Sequence, residues 1–223
     1  VMINNISTAR PLQSGLQDAY IIYEIIVEGG LTRYMALFMD QDTERIGSIR
    51  SARHYYLDYV LENDAIYAHH GQSPQAKSDF SALGIDRIEV SDSKTGWRDK
   101  TLKVSSEHTL FTSIEKLGKG LNKKRTEREK DLLLEYSVDE IDLSKCENVK
   151  LANNVSIKYS SSVTSSYEYD SENEEGISAD GTYNGTKFTL NPNGAKSTYE
   201  HILKPYSTYS ARYKKGDTDE RFN

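Results

Sequence analysis

The sequence has a single cysteine and lacks any apolar run close to the ~20 residues that a membrane-spanning helix requires. With only Cys146, the chain can form neither an intrachain disulfide nor a zinc site built from several cysteines. It also lacks a basic excess, because 28 Lys and Arg residues stand against 34 Asp and Glu residues, for a net charge of -6. Nucleic-acid-binding domains usually carry a basic excess on one face, so a nucleic-acid partner is not expected.

The histidines lack the spacing of a metal site. Neither HExxH nor HxH occurs in the sequence, and these are the patterns that bring two imidazoles to one metal ion. We therefore expect no resident metal ion and no cofactor. A site assembled from distant residues, such as His54, His108 and a carboxylate at Glu28 or Asp58, is the alternative.

The first half of the chain alternates strand-like and helix-like segments. Residues 19–28 (AYIIYEIIVE) and 31–39 (LTRYMALFM) are rich in β-branched and aromatic residues, which predicts two strands. The Gly29-Gly30 pair between them suits a turn with positive φ. Apolar residues then recur with helical spacing after Ser51, which predicts an amphipathic helix capped by Ser51.

A second helix is predicted to begin at Ser73-Pro74, with serine as the N-cap and proline in the first turn, and to stop at Gly84. Short strands are predicted on either side of it, at 64–69 and 85–91, and Thr112-Ser113 can cap a third helix. Interleaved strands and helices of this kind are typical of a mixed α/β (α+β) fold with a layered N-terminal domain.

The composition changes after the charged run at 119–130. The chain becomes rich in Ser, Tyr, Asn and Gly, with strand-like segments from Val155 and Val163. An Asn184-Gly185 pair is typical of a two-residue hairpin turn. This change divides the chain into three predicted parts: an N-terminal α/β domain at 1–118, a charged helix or linker at 119–136, and a smaller β-rich domain at 137–223 whose completeness is left open.

Residues 47–54 (GSIRSARH) concentrate cations and hydroxyls at a predicted loop-to-helix junction. If Ser51 caps the helix, Arg50 and Arg53 surround its positive end and His54 lies in its first turn. Such a junction would bind an anion, because arginine holds phosphate or carboxylate through two parallel hydrogen bonds. Alternatively, the two arginines pair internally and tie the helix to the sheet. The acidic candidates for that pairing are Glu24, Glu28 and Asp58.

His69 and His70 end the predicted strand at 64–69, and in layered α/β folds the carboxyl ends of strands border the ligand crevice. Consecutive strand residues point to opposite faces, so only one of the two histidines can face a shared site. His69 or Glu28 could act as a general acid or base, and Ser73 as a nucleophile, although Ser73 also fits an N-cap. Whether the chain is an enzyme is therefore uncertain from its sequence.

Asn5, Glu28 and Arg33 are three further polar positions that the sequence draws attention to. Asn5 lies near several hydroxyl residues before Arg10-Pro11, where such residues either close a loop over a site or satisfy turns. Glu28 and Arg33 lie at the same end of the predicted hairpin, where a local ion pair is the simplest interpretation.

Five segments together resemble the YerB-type bacterial lipoprotein family, whose conserved domain has no assigned function. In chain order they are VMINN from Val1, SGLQDAYIIYEIIVEGGLTRYMALF from Ser14, IGSIRSARHYYLDYV from Ile46, DAIYAHHGQSPQA from Asp64 and EHTLFTS from Glu107. The resemblance covers roughly residues 1–115.

The resemblance implies an exported protein anchored in the cell membrane by a lipid on a cysteine upstream of Val1. It also implies a mixed α/β N-terminal domain followed by a β-rich domain. The motif residues carried over by position are Asn4, Asn5, Glu24, Glu28, Gly29, Gly30, Thr32, Arg33, Arg50, Ser51, Arg53, His69, Gly71, Ser73 and His108.

We therefore expect an extracytoplasmic lipoprotein that binds an anionic envelope ligand carrying phosphate or carboxylate groups. One alternative is a hydrolase or a phosphoryl or glycosyl transferase acting on envelope polymers. Another is a lipoprotein that binds a protein partner and no small ligand. The candidate ligand-binding residues are Asn5, Arg33, Arg50, Ser51, Arg53, His54, His69, His70 and His108.

Overall fold

The computed structural model describes residues 1–121, Arg125, 154–168, 179–183 and 186–190 of the chain. The strands in these ranges are β1 (Met2–Asn4), β2 (Ile21–Ile26), β3 (Thr32–Leu37), β4 (Ile46–Gly47), β5 (Tyr67–His69), β6 (Arg87–Glu89), β7 (Trp97–Arg98), β8 (Leu110–Thr112), β9 (Asn154–Lys158), β10 (Thr164–Glu168), β11 (Ala179–Tyr183) and β12 (Thr186–Leu190). The α-helices there are α1 (Leu57–Glu62), α2 (Pro74–Ala82) and α3 (Ile114–Gly120).

An extended segment, residues 48–52, joins two small sheets into one layer. On one side lies the antiparallel sheet β2–β3–β1, and on the other the parallel pair β5–β6. The peptide groups of Arg50 show the connection, since its N–H donates to Met2 O at 3.0 Å and its carbonyl accepts from His70 N at 3.0 Å. The segment therefore acts as a central strand of a mixed layer.

A second sheet, β4–β8–β7, is antiparallel, and its strand β4 lies directly before the segment 48–52 in the chain. Ile46 and Gly47 pair with β8, and the chain then leaves that sheet for the mixed layer. Gly47 suits this crossing because a Cβ there would lie 2.7 Å from Phe111 Cδ1 and 3.0 Å from Leu110 O. Only glycine allows so close an approach of the two strands.

Two apolar cores cover the two faces of the mixed layer. Met2 and Met35 oppose each other across β1 and β3 and lie in the first core, with side chains of α1 and α2. Ile3 and Tyr34 are the next opposing pair and lie in the second core, against β4 and β8. The alternation of side chains along a strand produces this division.

The helix after Ser51 starts later than predicted, and Ser51 does not cap it. A 3-10 turn spans His54–Tyr56 and leads into α1, while Ala52 stays extended. The Ala52 N–H donates to Gly71 O at 2.9 Å, and the Ala52 carbonyl accepts from Ser73 N at 3.1 Å. These bonds to the neighbouring segment hold Ala52 out of the helix, although the local apolar pattern favoured it.

Other predicted elements are confirmed. The mixed α+β fold is present, β2 and β3 form the predicted hairpin, and Gly29 and Gly30 have φ of 72° and 68°. Ser73 caps α2, because its Oγ accepts from Ala76 N at 3.2 Å. The Ser113 side chain caps α3 in the same way.

The β-rich second half is described through two antiparallel pairs, β9–β10 and β11–β12. Tyr183 opposes Thr186, as a two-residue hairpin requires, while Asn184-Gly185 lies outside the described residues. Most of the predicted linker at 119–136 also lies outside them, so the domain boundaries stay predictions. Within the described ranges, no helix has the length and apolar character to cross a membrane.

We predict that Ser73→Ala destabilises the protein by about 1 kcal/mol, because the first turn of α2 loses a side-chain acceptor. In a chain of this size that change lowers the melting temperature by about 3 °C. Ser78→Ala, at an exposed position of the same helix, is the matched control and should leave the melting temperature nearly unchanged. Equal effects of the two substitutions in thermal unfolding would contradict the capping role.

Candidate anion-binding site

Three arginines, Arg33, Arg50 and Arg53, form what we call the arginine cluster. Arg33 projects from β3 and is 8% exposed. Its Nη1 donates to the carbonyl of Ser51 at 2.7 Å, so its guanidinium reaches the backbone between the other two arginines. Burial lowers the pKa of Arg33, and the positive charges of Arg53 and Arg50 lower it further. The three cationic side chains are therefore close enough to interact.

Two carboxylates contact the arginine cluster from opposite parts of the chain. Glu28, in the β2–β3 turn, accepts from Arg53 Nε at 2.5 Å, and Glu107 accepts from Arg50 Nη1 at 2.8 Å. Burial opposes ionisation of Glu28, but the Arg53 hydrogen bond keeps its pKa below the usual value. The hydrogen bond from Arg50 likewise lowers the pKa of Glu107. Both carboxylates are therefore ionised at neutral pH.

These ion pairs are weakly held. The side chains of Glu28 and Glu107 are 62% and 52% exposed, and each forms a single hydrogen bond with its arginine rather than the paired bonds of a planar fork. The Arg53 and Arg50 side chains are only 15% and 22% exposed, so the pairs are open to water on the carboxylate side. Solvent screening on that side limits each pair to about 1 kcal/mol of stability. Either carboxylate can therefore leave its arginine at little cost.

The arginine cluster keeps unused capacity for an anion. Among the described residues, no carboxylate lies within ion-pair distance of Arg33, and the buried Nε of Arg50 has no hydrogen-bond partner. A buried donor without an acceptor costs about 1–3 kcal/mol. Within the described ranges, three guanidinium groups beside two carboxylates also leave a local excess of positive charge.

The observed ion pairs agree in part with the alternative in which Arg50 and Arg53 pair with carboxylates of the same chain. Arg53 does pair with Glu28, and Glu28 pairs with it instead of forming the predicted ion pair with Arg33. Arg50 pairs with Glu107, a residue that sequence reasoning missed. The two are 57 positions apart, so no local pattern connects them. The signal available was the position of Glu107 at the start of the EHTLFTS motif.

His108 borders the arginine cluster through Glu107. The imidazole is buried, and its Nδ1 accepts from Asn4 Nδ2 at 3.0 Å. Its proton is then on Nε2, which lies 3.6 Å from the Glu107 carboxylate. Asn4 opposes Arg33 across β1 and β3. The carried-over residues Asn4 and His108 thus support the 3-10 turn Ser106–His108, which presents Glu107.

His69 is buried in the first core, with its contacts there rather than at the arginine cluster. Its Nδ1 donates to Gly71 O at 2.9 Å, and its ring stacks on Phe80 with centroids 5.1 Å apart. Burial lowers the pKa of His69 to about 4, so the ring is neutral at pH 7. His70 faces away, with Nδ1 bonded to Val90 O at 2.7 Å. The predicted opposite orientation of the two histidines is confirmed.

The catalytic candidates are not assembled into one group. Glu28 contacts the arginine cluster, His69 lies in the core, and Ser73 caps α2. The His54 ring packs against Tyr55 with centroids 5.1 Å apart. In the part of the chain that the structure describes, no three His, Cys, Asp or Glu side chains converge as ligands of a metal ion. The metal site from distant residues therefore has no support there.

Asn5 belongs to a separate polar network on the opposite face of the sheet, centred on Glu24. The Glu24 carboxylate accepts from Thr32 Oγ1 at 2.7 Å, from Asn5 Nδ2 at 3.2 Å and from Ser165 Oγ at 3.0 Å. Thr32 and Asn5 are fully buried. The network connects β2 and β3 to β10, which is a structural role. Asn5 therefore lies apart from the arginine cluster.

The comparisons with known proteins agree on one family. A family model described as "Protein of unknown function (DUF3048) N-terminal domain" matches residues 1–127. The chain is 34% identical over 155 residues to "Putative lipoprotein YerB" of Bacillus subtilis (strain 168), an alignment that covers 68% of this chain and 46% of the relative. This chain therefore spans about half the length of that relative.

A solved structure is similar as well. The crystal structure of the YerB protein from Bacillus subtilis matches with a TM-score of 0.63 and 29% identity. The match covers 85% of this chain and 64% of that chain. The mixed α+β architecture and the resemblance noted in the sequence are both confirmed.

We predict that Glu24→Ala destabilises the protein by about 2–4 kcal/mol, because the buried donors of Thr32 and Asn5 lose their common acceptor. Glu28→Ala is the matched control, since its exposed carboxylate contributes about 1 kcal/mol at most. Urea unfolding of both variants measures the difference. Equal losses would show that the Glu24 network does not stabilise the fold.

We also predict a pH dependence from His69. Its pKa falls from 6.5 to about 4 on folding, so its contribution to stability is fully present above pH 6.5 and is lost as the pH falls toward 4. The maximum slope is about 1.4 kcal/mol per pH unit. His69→Asn retains a donor for Gly71 O and removes the titration. Urea unfolding from pH 7 to pH 4 should therefore show a shallower loss in the variant, and identical slopes would contradict the assignment.

Proposed function

Because the chain belongs to the YerB-type family, whose domain has no assigned function, we propose that it binds an extracytoplasmic anionic ligand through the arginine cluster. The first support is that Arg33 and Arg50 keep guanidinium N–H donors that no carboxylate accepts within the described ranges. Guanidinium groups form charge-assisted hydrogen bonds to phosphate and carboxylate, which are about twice as strong as neutral ones. The ligand is therefore an anion that competes with Glu28 and Glu107.

The extracytoplasmic location is part of the same proposal. It is supported by the lipoprotein name of the Bacillus subtilis relative and the family match over residues 1–127. A protein outside the cytoplasmic membrane meets polymers and lipids that carry phosphate groups. We therefore propose a phosphate-bearing envelope molecule as the ligand class.

The alternative of a partner-binding lipoprotein is favoured by one observation. Arg50 and Arg53 both pair with carboxylates of the same chain, as they would if they only tied surface turns to the sheet. Two features favour ligand binding over that alternative: these pairs are weak, and Arg50 Nε has no partner in the part of the chain that the structure describes. An enzyme would need an acid or base beside the arginines, and the location of His69 in the core removes one candidate.

We predict that inorganic phosphate raises the melting temperature of the protein in a saturable way, because a ligand that binds only the folded state stabilises it by mass action. Arg50→Gln and Arg53→Gln should each weaken phosphate binding about tenfold, equivalent to about 1.4 kcal/mol. Both the thermal shift and calorimetric titration measure this change at constant ionic strength.

The matched control is Arg87→Gln, which removes one positive charge from β6, outside the arginine cluster. It should bind phosphate like the unaltered protein. Equal weakening by all three substitutions would indicate a general charge effect. No binding of phosphate by the unaltered protein would direct attention to a protein partner.

A further inference from the structure

The arginine cluster has two separate anionic positions. Glu28 occupies one of them at Arg53, and Glu107 occupies the other at Arg50. Arg50 and Arg53 are three residues apart on extended backbone, a Cα separation of about 10 Å at most. Arg33 donates to the carbonyl of Ser51 between them. The cluster therefore forms a short cationic row with an anion at each end.

Each end is only half used by its carboxylate. Glu107 accepts from Nη1 of Arg50, and the buried Nε of that arginine has no partner among the residues that the structure describes. Glu28 accepts from Nε of Arg53, whose Nη1 donates to the Ala52 carbonyl. A terminal phosphate group has three non-bridging oxygens and a bridging one has two. Either can accept two donors of one guanidinium, which these carboxylates do not.

We infer that the arginine cluster takes a ligand with at least two successive phosphate groups, and that Glu28 and Glu107 hold the two phosphate positions until the ligand displaces them. The inference rests on the proposed function and specifies its ligand class. A single phosphate can displace one carboxylate and fill one end of the row. A ligand whose linked phosphates reach from Arg50 to Arg53 fills both ends, and in a ligand of three or more phosphates the central charge faces Arg33.

The two carboxylates are thus built-in competitors of the ligand. Since each is more than half exposed, it can turn into solvent when the ligand binds. Replacing either by glutamine keeps the side-chain size and removes the competing charge. Affinity for the ligand should then increase, whereas a purely structural role of the two ion pairs would give no increase.

The experiment is a calorimetric titration with tripolyphosphate and with inorganic phosphate at matched ionic strength. The unaltered protein should bind tripolyphosphate at least tenfold more tightly than phosphate. Glu28→Gln and Glu107→Gln should each tighten tripolyphosphate binding about threefold, and the double variant about tenfold. Glu89→Gln, an exposed glutamate of β6, makes the same charge change outside the cluster and should bind like the unaltered protein.

Equal affinities for the two anions, or unchanged affinity in the double variant, would overturn the inference. If phosphate binds and Arg50→Gln abolishes that binding, while tripolyphosphate has no advantage, the proposed function holds and only the two-phosphate ligand fails. If neither anion binds to the unaltered protein or to the double variant, both fail.

A second arm separates two sources of successive phosphates. It compares a soluble glycerol phosphate oligomer with phosphatidylcholine vesicles that contain a lipid with a diphosphate headgroup. Binding to the oligomer indicates a polymer, and binding to these vesicles but not to plain phosphatidylcholine vesicles indicates a lipid. If tripolyphosphate binds but neither the oligomer nor these vesicles do, the proposal of a phosphate-bearing envelope ligand is overturned.

Discussion

The backbone pairing of residues 48–52 with β1 and β5 is the constraint on which the rest of the structure depends. It makes one mixed layer from two small sheets and separates the two apolar cores. The same pairing keeps Ala52 extended, so that the helix begins only after Arg53. Arg50 and Arg53 consequently project from extended chain beside Arg33, instead of surrounding a helix end.

That placement determines the chemistry of the arginine cluster. Burial lowers the pKa of Arg33, and the positive charges of Arg53 and Arg50 lower it further. The protein offsets the repulsion among these cations with two carboxylates on surface turns. Glu107 is held in place through its neighbour His108, which Asn4 orients from β1. A site that is partly neutralised by exposed carboxylates can be stable when empty and still favour an anion of higher charge.

Much of the fold is predictable from the sequence, because its strands and caps depend on local patterns. The Gly29-Gly30 hairpin and the Ser73 cap are examples. The members of the arginine cluster are predictable, since the arginines occur in conspicuous motifs. Their arrangement is not predictable from the sequence. The local pattern predicts that Ser51 caps a helix, and the long-range bonds of Ala52 to Gly71 and Ser73 prevent it. The Arg50–Glu107 pair depends on the same kind of distant contact.

The most direct test of this account is to observe the arginine side chains while the ligand binds. Nitrogen-15 NMR of the Nε–H groups during a tripolyphosphate titration reports each guanidinium separately. The account predicts that the signals of Arg50 and Arg53 shift together along one saturable curve, because the anion fills the unpartnered Nε of Arg50 and replaces Glu28 at Arg53. Unchanged signals from these two arginines at saturating tripolyphosphate would contradict the central claim.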